Sequence, residues 1–284
     1  HKTYKLFIGG KFPRTESGRY LIAQTPKGEH VANYCKASRK DLRDAVVAAR
    51  KAFPGWRGAT AYLKGQILYR AADMLEARAE SIEAEIVAST GVTASAAARE
   101  VEASVDRLVH YAGWTDKYSQ VFSTENPVAS SQFNFSTPDP TGVVGIFAPD
   151  TPSLLGLVTL TAQTILSGNT VIVLASETAP LSAISLAEVF ATSDLPGGGV
   201  NILTGNRAEI APWLASHMDV NAIVDGSGDK KTFAVLQTGA SDNLKRVSDH
   251  SLPTSEAWFT EAATAAYRIL DTVEYKTAWH PIGV

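Results

Sequence analysis

Cysteine occurs once in the 284 residues and methionine twice. A single thiol excludes an internal disulfide framework and fits a reducing compartment. An excess of one charge is also missing. The formal net charge is −3, which supplies no electrostatic footprint for nucleic acid or an anionic membrane. The short basic run within Arg39–Arg50 reads as a solvated helix face. The longest apolar stretch, Leu154–Leu166, is too short to span a bilayer and is interrupted by Thr159, Thr161, Gln163 and Thr164. The six histidines are scattered without H-x-x-x-H spacing, so no metal site is expected. His217, His250 and His280 read as polar packing or solvated side chains. No signal-peptide pattern is visible, and a cytoplasmic location is the expectation. The chain begins at His1 and not at Met, which reads as a piece of something longer.

What is present is an ordinary globular pattern, long enough to bury a large core in one or two domains. "YKLFIGG", "YLIAQTP" and "HVANYCK" are short β-rich runs punctuated by Gly and Pro, and predict an N-terminal meander. Ser38 and Asp41 form a capping box for a helix that buries Leu42, Ala45, Val46, Ala49 and Phe53. Leu63, Ile67, Ala71, Met74 and Leu75 line a second helical stripe. Helix is expected to continue over Thr90–Tyr118. The polar, turn-rich "FSTENPVASSQFNFSTPDPTG" predicts a projecting hairpin with a strand around Gln132–Ser136. From Val143 onward, "VVGIF", "TVIVL", "VNIL", "NAIV" and "LKRV" alternate with helical segments. That alternation gives an α/β class, a Rossmann-like, doubly wound parallel sheet whose ligands bind beyond the carboxyl ends of the strands.

Within that pattern "IVDGSGDKKT", residues 223–232, has the layout in which backbone N–H groups cradle a phosphate at a helix N-terminus. Lys230, Lys231 and Thr232 imitate the end of a P-loop. Asp229 stands where a P-loop needs glycine and repels phosphate, so an ordinary strand-to-helix turn is the competing explanation.

"PTGVVGIFAPDTPSLL", "LSGNTVIVLASETAPLSA", "SDLPGGGVNILTG" and "VDGSGD…NLKRV" resemble, in order and spacing, the cofactor-domain motifs of the aldehyde dehydrogenase superfamily. "LFIGGKF" and "AVVAARKAFPGW" resemble the start of that family, and "DTVEYKTAWHPIG" resembles its C-terminal oligomerisation strand. The resemblance implies a cofactor-binding domain over residues 1–120 and 142–270, with an oligomerisation hairpin and strand at 121–141 and 271–284. It also implies a cysteine nucleophile in a second α/β domain, for which Ser248–Leu270 leaves room only for a loop and the helix "SEAWFTEAATAAYRIL". Cys35, in the N-terminal runs, reads as structural.

Other family positions depart in step. Where the family has Trp and an oxyanion-binding Asn, this sequence has Asp150 and Thr151, and a carboxylate there would destabilise an oxyanion. Leu174 replaces a lysine that contacts the adenosine ribose, leaving the ribose-binding glutamate's counterpart, Glu177, without its partner. Gly226 and Ser227 match the pyrophosphate turn, but Lys231 replaces a glycine and would crowd the dinucleotide. His250 takes the place of the general-base glutamate. Asp249, His250 and Ser251 are chain neighbours pointing to opposite faces, which argues against a hydrolytic triad.

The expectation is therefore a pseudoenzyme. No catalytic residue and no bound cofactor are expected in this chain, with Thr151, Leu174, Glu177, Gly226 and Ser227 as vestigial cofactor positions. NAD would belong to a parent enzyme, and the closest resemblance is to the non-catalytic C-terminal domain of the two-domain aldehyde dehydrogenase family 16. The alternatives are a working NAD-binding domain of an oxidoreductase and a regulatory module that binds a small anion through Lys230 and Lys231. Val273, Tyr275, Thr277 and Trp279 alternate with polar residues as one face of a terminal strand. That strand is expected to dock on the parent's dehydrogenase domain or a second subunit, the alternative being that it folds back on its own hairpin.

Overall fold

The computed structural model describes residues 2–283. In chain order the elements are β1 (Thr3–Tyr4), β2 (Tyr20–Gln24), β3 (His30–Cys35), α1 (Arg39–Gly58), α2 (Ala61–Glu76), α3 (Ala79–Thr90), α4 (Ala94–Ala112) and α5 (Lys117–Phe122). β4 (Thr124–Asn126) and β5 (Gln132–Pro140) follow. Then come β6 (Val143–Phe147), α6 (Ser153–Ile165), β7 (Thr170–Leu174), α7 (Leu181–Ala191), β8 (Val200–Leu203), α8 (Arg207–Ala215), β9 (Ala222–Asp225), α9 (Lys230–Ala240), β10 (Arg246–Asp249) and β11 (Val273–Pro281).

The central sheet has five parallel strands in the order β10-β9-β6-β7-β8. Its strands read as continuous apolar runs because both faces are covered. Alternate residues point to opposite sides: Val144, Ile146, Val171 and Val173 pack with α2, α4, α6 and α7 residues such as Leu75, Leu108, Leu157 and Leu186. Phe147, Ile172 and Leu174 pack on the other face with Leu42 and Val46 of α1, Leu214 of α8 and Leu236 of α9. The α1 capping box forms as read, Ser38 Oγ accepting from the Asp41 N–H and Asp41 Oδ2 accepting from the Ser38 N–H.

The N-terminal runs are not a meander. β1 pairs parallel with β3 and β2 antiparallel with β3, while Phe7 leaves that sheet to bridge Ile202 of β8. The following turn needs glycine: at Gly10, φ is +77° and a Cβ would sit 2.9 Å from Gly197 Cα. The expected helix over Thr90–Tyr118 is broken because Gly91 takes a left-handed conformation, φ 73°, and Thr93 then caps α4 anew. "SEAWFTEAATAAYRIL" forms short 3-10 turns rather than a helix. Thr254 and Thr260 hydroxyls accept local N–H groups there and compete with the helical ladder.

β4 and β5 form the expected hairpin. β11 pairs antiparallel with β5 of the same chain, from Val273 opposite Pro140 to Pro281 opposite Gln132, giving a small sheet ordered β11-β5-β4. One edge of the tail is thus satisfied by its own hairpin. The outer edge of β11 pairs with no strand among the described residues.

Candidate functional site

In a doubly wound sheet the ligand crevice opens at the carboxyl ends of the strands where the winding reverses. Here that point lies between β6 and β9, since the chain runs from β6 outward through β7 to β8 and returns to β9 on the other side. The loops leaving these strands carry Asp150 and Thr151 after β6, Ser176 and Glu177 after β7, Arg207 after β8, and Gly226 and Ser227 after β9.

Arg207 dominates the crevice. It is the first residue of α8 and its side chain is only 6% exposed. The guanidinium holds Asp150 as a fork, Nη1 donating to Oδ2 and Nη2 to Oδ1, both at 2.8 Å. Nη2 also donates to the Ala148 carbonyl at 2.9 Å, and Nη1 reaches Glu177 Oε2 at 3.5 Å. Glu177 Oε1 accepts the Arg207 backbone N–H at 2.7 Å, so this carboxylate caps α8. Asp150 Oδ1 further accepts the Glu177 N–H at 2.9 Å and the Ser176 hydroxyl at 3.2 Å. Burial opposes ionisation of Asp150, but the Arg207 bonds and charge outweigh it and hold the pKa below the ordinary carboxylate value.

The phosphate-type loop is closed in a similar way. Asp225, buried at the end of β9, accepts the Ser227 N–H at 2.9 Å. Burial pushes the Asp225 pKa up, against the Ser227 hydrogen bonds that pull it down and with a further push from neighbouring Asp249. Asp229 caps α9, its carboxylate accepting the N–H groups of Lys231 at 3.1 Å and Thr232 at 3.2 Å and the Thr232 hydroxyl at 2.6 Å. The amides of Ser227, Lys231 and Thr232 are thus bonded to the chain's own carboxylates, while Gly226 donates to the Phe147 carbonyl and Asp229 to Ser227 Oγ. Gly226 is needed for packing: a Cβ there would meet Leu160 Cδ1 at 2.5 Å and the Phe147 carbonyl oxygen at 3.1 Å. Lys231 is exposed on the α9 surface.

The remaining predicted positions disperse. Leu174 is buried in the core at the end of β7. Thr151 turns away from Arg207 toward Ser255, their hydroxyls 3.1 Å apart. Asp150 is directed to Arg207 instead of standing free at an oxyanion position. Nor is Glu177 without a partner: the α8 N-terminus is its partner. Of the two readings of His250, polar packing is the one seen. The residue is 3% exposed and its Nε2 lies 2.7 Å from Asp271 Oδ2. Ser251 donates its N–H to Asp249 Oδ1 and its hydroxyl makes no bond to His250 among the described residues. Cys35 is buried at the end of β3. No cluster of three or more metal-ligating side chains occurs among the described residues, and no helix among them is long and apolar enough to cross a membrane.

On β11, Val273 is buried, Thr277 Oγ1 lies 2.7 Å from Ser136 Oγ, and Tyr275 and Trp279 are 47% and 58% exposed. The sequence around Arg207 carries little that marks it. Its only local signal is a cation in the first turn of a helix, where the dipole disfavours one.

The sequence profile described as the aldehyde dehydrogenase family matches residues 14–250. Aldehyde dehydrogenase of Aspergillus niger is 30% identical over 246 residues, covering 86% of this chain and 49% of that protein. Cytosolic aldehyde dehydrogenase 1 of Elephantulus edwardii is 30% identical over 249 residues, with the same coverage of 86% and 49%. The chain spans about half the length of these curated relatives. Among solved structures, the NAD+ complex of aldehyde dehydrogenase from Bacillus cereus superposes with a TM-score of 0.83 at 25% identity, covering 88% of this chain and 51% of that one. HpcC from Thermus thermophilus gives 0.83 at 25% identity, over 88% and 48%. With a family profile matched over most of its length and a shared fold, the chain belongs to the aldehyde dehydrogenase family.

Proposed function

We propose that this chain is a non-catalytic aldehyde-dehydrogenase-like domain with an assembly role, part of a larger cytoplasmic aldehyde dehydrogenase whose other domain binds NAD and oxidises the aldehyde. The observation that carries this reading is Arg207. Its guanidinium, Asp150 and Glu177 form a closed ion-pair and cap network at the place where a doubly wound fold receives a dinucleotide. A cofactor with two phosphates would have to displace a nearly buried cation from its partners and meet two carboxylates. The Asp225 and Asp229 carboxylates take the Ser227, Lys231 and Thr232 amides, which a pyrophosphate at this turn would have to compete for.

Two further features support it. Cys35, the sole thiol, is buried in the core beside β8, its carbonyl accepting the Thr204 hydroxyl at 2.6 Å, and stands 115 residues before Asp150 in the chain. Between β10 and β11 there are only the short 3-10 turns, not a second α/β unit. The resemblance to the C-terminal domain of the two-domain family 16 gives the natural placement in the parent. The β11-β5-β4 sheet, with Tyr275 and Trp279 exposed beside an unpaired strand edge, is the surface offered to the parent's dehydrogenase domain or a second subunit.

The test is steady-state turnover. The 284-residue chain, assayed with NAD and NADP across aliphatic and aromatic aldehydes, is expected to show none. Turnover that Cys35→Ser abolishes overturns the reading in favour of a working oxidoreductase domain.

A further inference from the structure

The basic run at the start of α1 carries charge that the fold does not use. Arg39 and Lys40 are the first two residues of that helix and Arg43 follows one turn on, so three cations stand where the helix dipole disfavours them. Asp41 does not offset them. It is 4% exposed, and its carboxylate accepts the Ser38 N–H, the Thr15 hydroxyl and the Glu16 N–H. Lys40 reaches Glu16 at 3.5 Å and Arg43 reaches Asp44 at 3.8 Å, both between exposed side chains, where such pairs hold weakly. Arg39 has no carboxylate partner among the described residues, and its guanidinium lies 3.8 Å from the centroid of the Trp213 ring. Beside this stack a groove of about 710 Å³ runs between α1 and the carboxyl end of α8, with Leu42, Trp213 and Met218 as its apolar wall and the three cations along its edge. Trp213 and Met218 are 43% and 68% exposed. No carboxylate lines the groove among the described residues, and His217 there adds no charge at neutral pH because burial lowers its pKa from 6.5. A second cavity of about 340 Å³ shares Arg39 and Trp213 and so extends the groove, and its one carboxylate, Glu209, is held by Lys36 and Arg19.

We propose that this groove docks an acidic, amphipathic segment of a partner protein, its carboxylates on Arg39, Lys40 and Arg43 and an apolar side chain against Trp213 and Met218. The guanidinium fork matches a carboxylate, and Trp, Met and Arg are the residue types that concentrate in interface cores. A basic patch this small, on a chain of net charge −3, is too weak a footprint to hold a nucleic-acid backbone.

The probe is the nonapeptide Glu-Glu-Asp-Leu-Phe-Glu-Glu-Asp-Leu, blocked at both ends, titrated into the 284-residue chain at pH 7 and followed by calorimetry and by the indole N–H signals in NMR. The expected result is saturable binding with a Kd of about 100 µM or below, a shift of the Trp213 signal, and a loss of at least about fivefold when salt rises from about 0.05 to about 0.5 M. Replacing the peptide's Leu and Phe by Ser should weaken it by about fivefold. Arg39→Gln with Arg43→Gln, and separately Trp213→Ala, should each weaken the acidic peptide by about tenfold. All three positions are exposed, so the fold is retained, which the urea midpoint checks. Lys40→Glu with Arg43→Glu should instead favour the peptide that has lysine in place of every acid. Absence of saturation, the lysine peptide or octathymidylate binding the native chain as tightly as the acidic peptide, or affinity unchanged in the folded variants overturns the proposal. Self-association of the chain that the same variants abolish also overturns it, since the groove's occupant is then a second copy.

Discussion

Replacing Arg207 by methionine tests whether the crevice is held shut by its own ion pair. The guanidinium side chain is 6% exposed, and the substitution removes the Asp150 fork, the Ala148 carbonyl bond and the Glu177 contact together. Breaking a fully buried pair costs about 3–5 kcal/mol. Asp150 and Glu177 are 35% and 36% exposed, so water re-solvates them in part, and the expected loss falls to about 2–3 kcal/mol. In urea denaturation followed by circular dichroism this moves the midpoint down by roughly 1 M, with the slope unchanged. Arg207→Met combined with Asp150→Asn should lose less than the sum of the single changes, by about 1–2 kcal/mol. The pH dependence has a fixed sign. Asp150 has a folded pKa below its ordinary value of 3.8, so its contribution is present above 3.8 and disappears as pH falls through the lower folded value. The gap between the native chain and Arg207→Met should therefore narrow in that acidic window. An Arg207→Met protein within about 0.5 kcal/mol of the native chain, with additive effects and a gap that does not change with pH, would refute the reasoning.

Lys245 gives a pH dependence at the alkaline end. Burial lowers its pKa from 10.5 to about 8 while Nζ donates to the Ala215 and His217 carbonyls. Between those two values the unfolded chain holds a proton that the folded chain has released, so stability rises with pH, by up to about 3 kcal/mol. Lys245→Met should flatten that rise relative to the native chain, as read by urea midpoints from about pH 8 to 10.5. On the small sheet, Trp279→Ala and Tyr275→Ala alter side chains exposed on β11 and should leave stability within about 0.5 kcal/mol. Under the proposed assembly role, light scattering of a parent protein carrying the double variant should show a weakened oligomer, and an unchanged mass would overturn that role for β11.

The strands of the central sheet were legible because a parallel strand buried on both faces must be apolar throughout, as "VVGIF" and "TVIVL" are. The Ser38–Asp41 box was legible because its partners are three residues apart. The site was not. Arg207 and Asp150 are separated by 57 residues, and nothing local in "GNRAEI" indicates that the arginine turns into the crevice. Aligned positions fixed which residues differ from the family pattern, including Asp150, Leu174 and Lys231. They could not supply the partners that make Asp150 part of a network. The loop "VDGSGDKKT" showed the same limit: Asp229 is visible in the sequence, but its role as a cap that occupies the loop amides depends on backbone geometry. The 255–272 segment misled because alanine-rich composition favours helix, while its threonine hydroxyls bind the local backbone and stop each turn.

The measurement that tests the central claim most directly is calorimetric titration of NAD into the native 284-residue chain at neutral pH. With the Arg207–Asp150–Glu177 network in the crevice and the Ser227, Lys231 and Thr232 amides capped by Asp225 and Asp229, no saturable binding is expected below about 1 mM. A saturable site with a Kd under about 10 µM would contradict the account and make this chain a working nucleotide-binding domain.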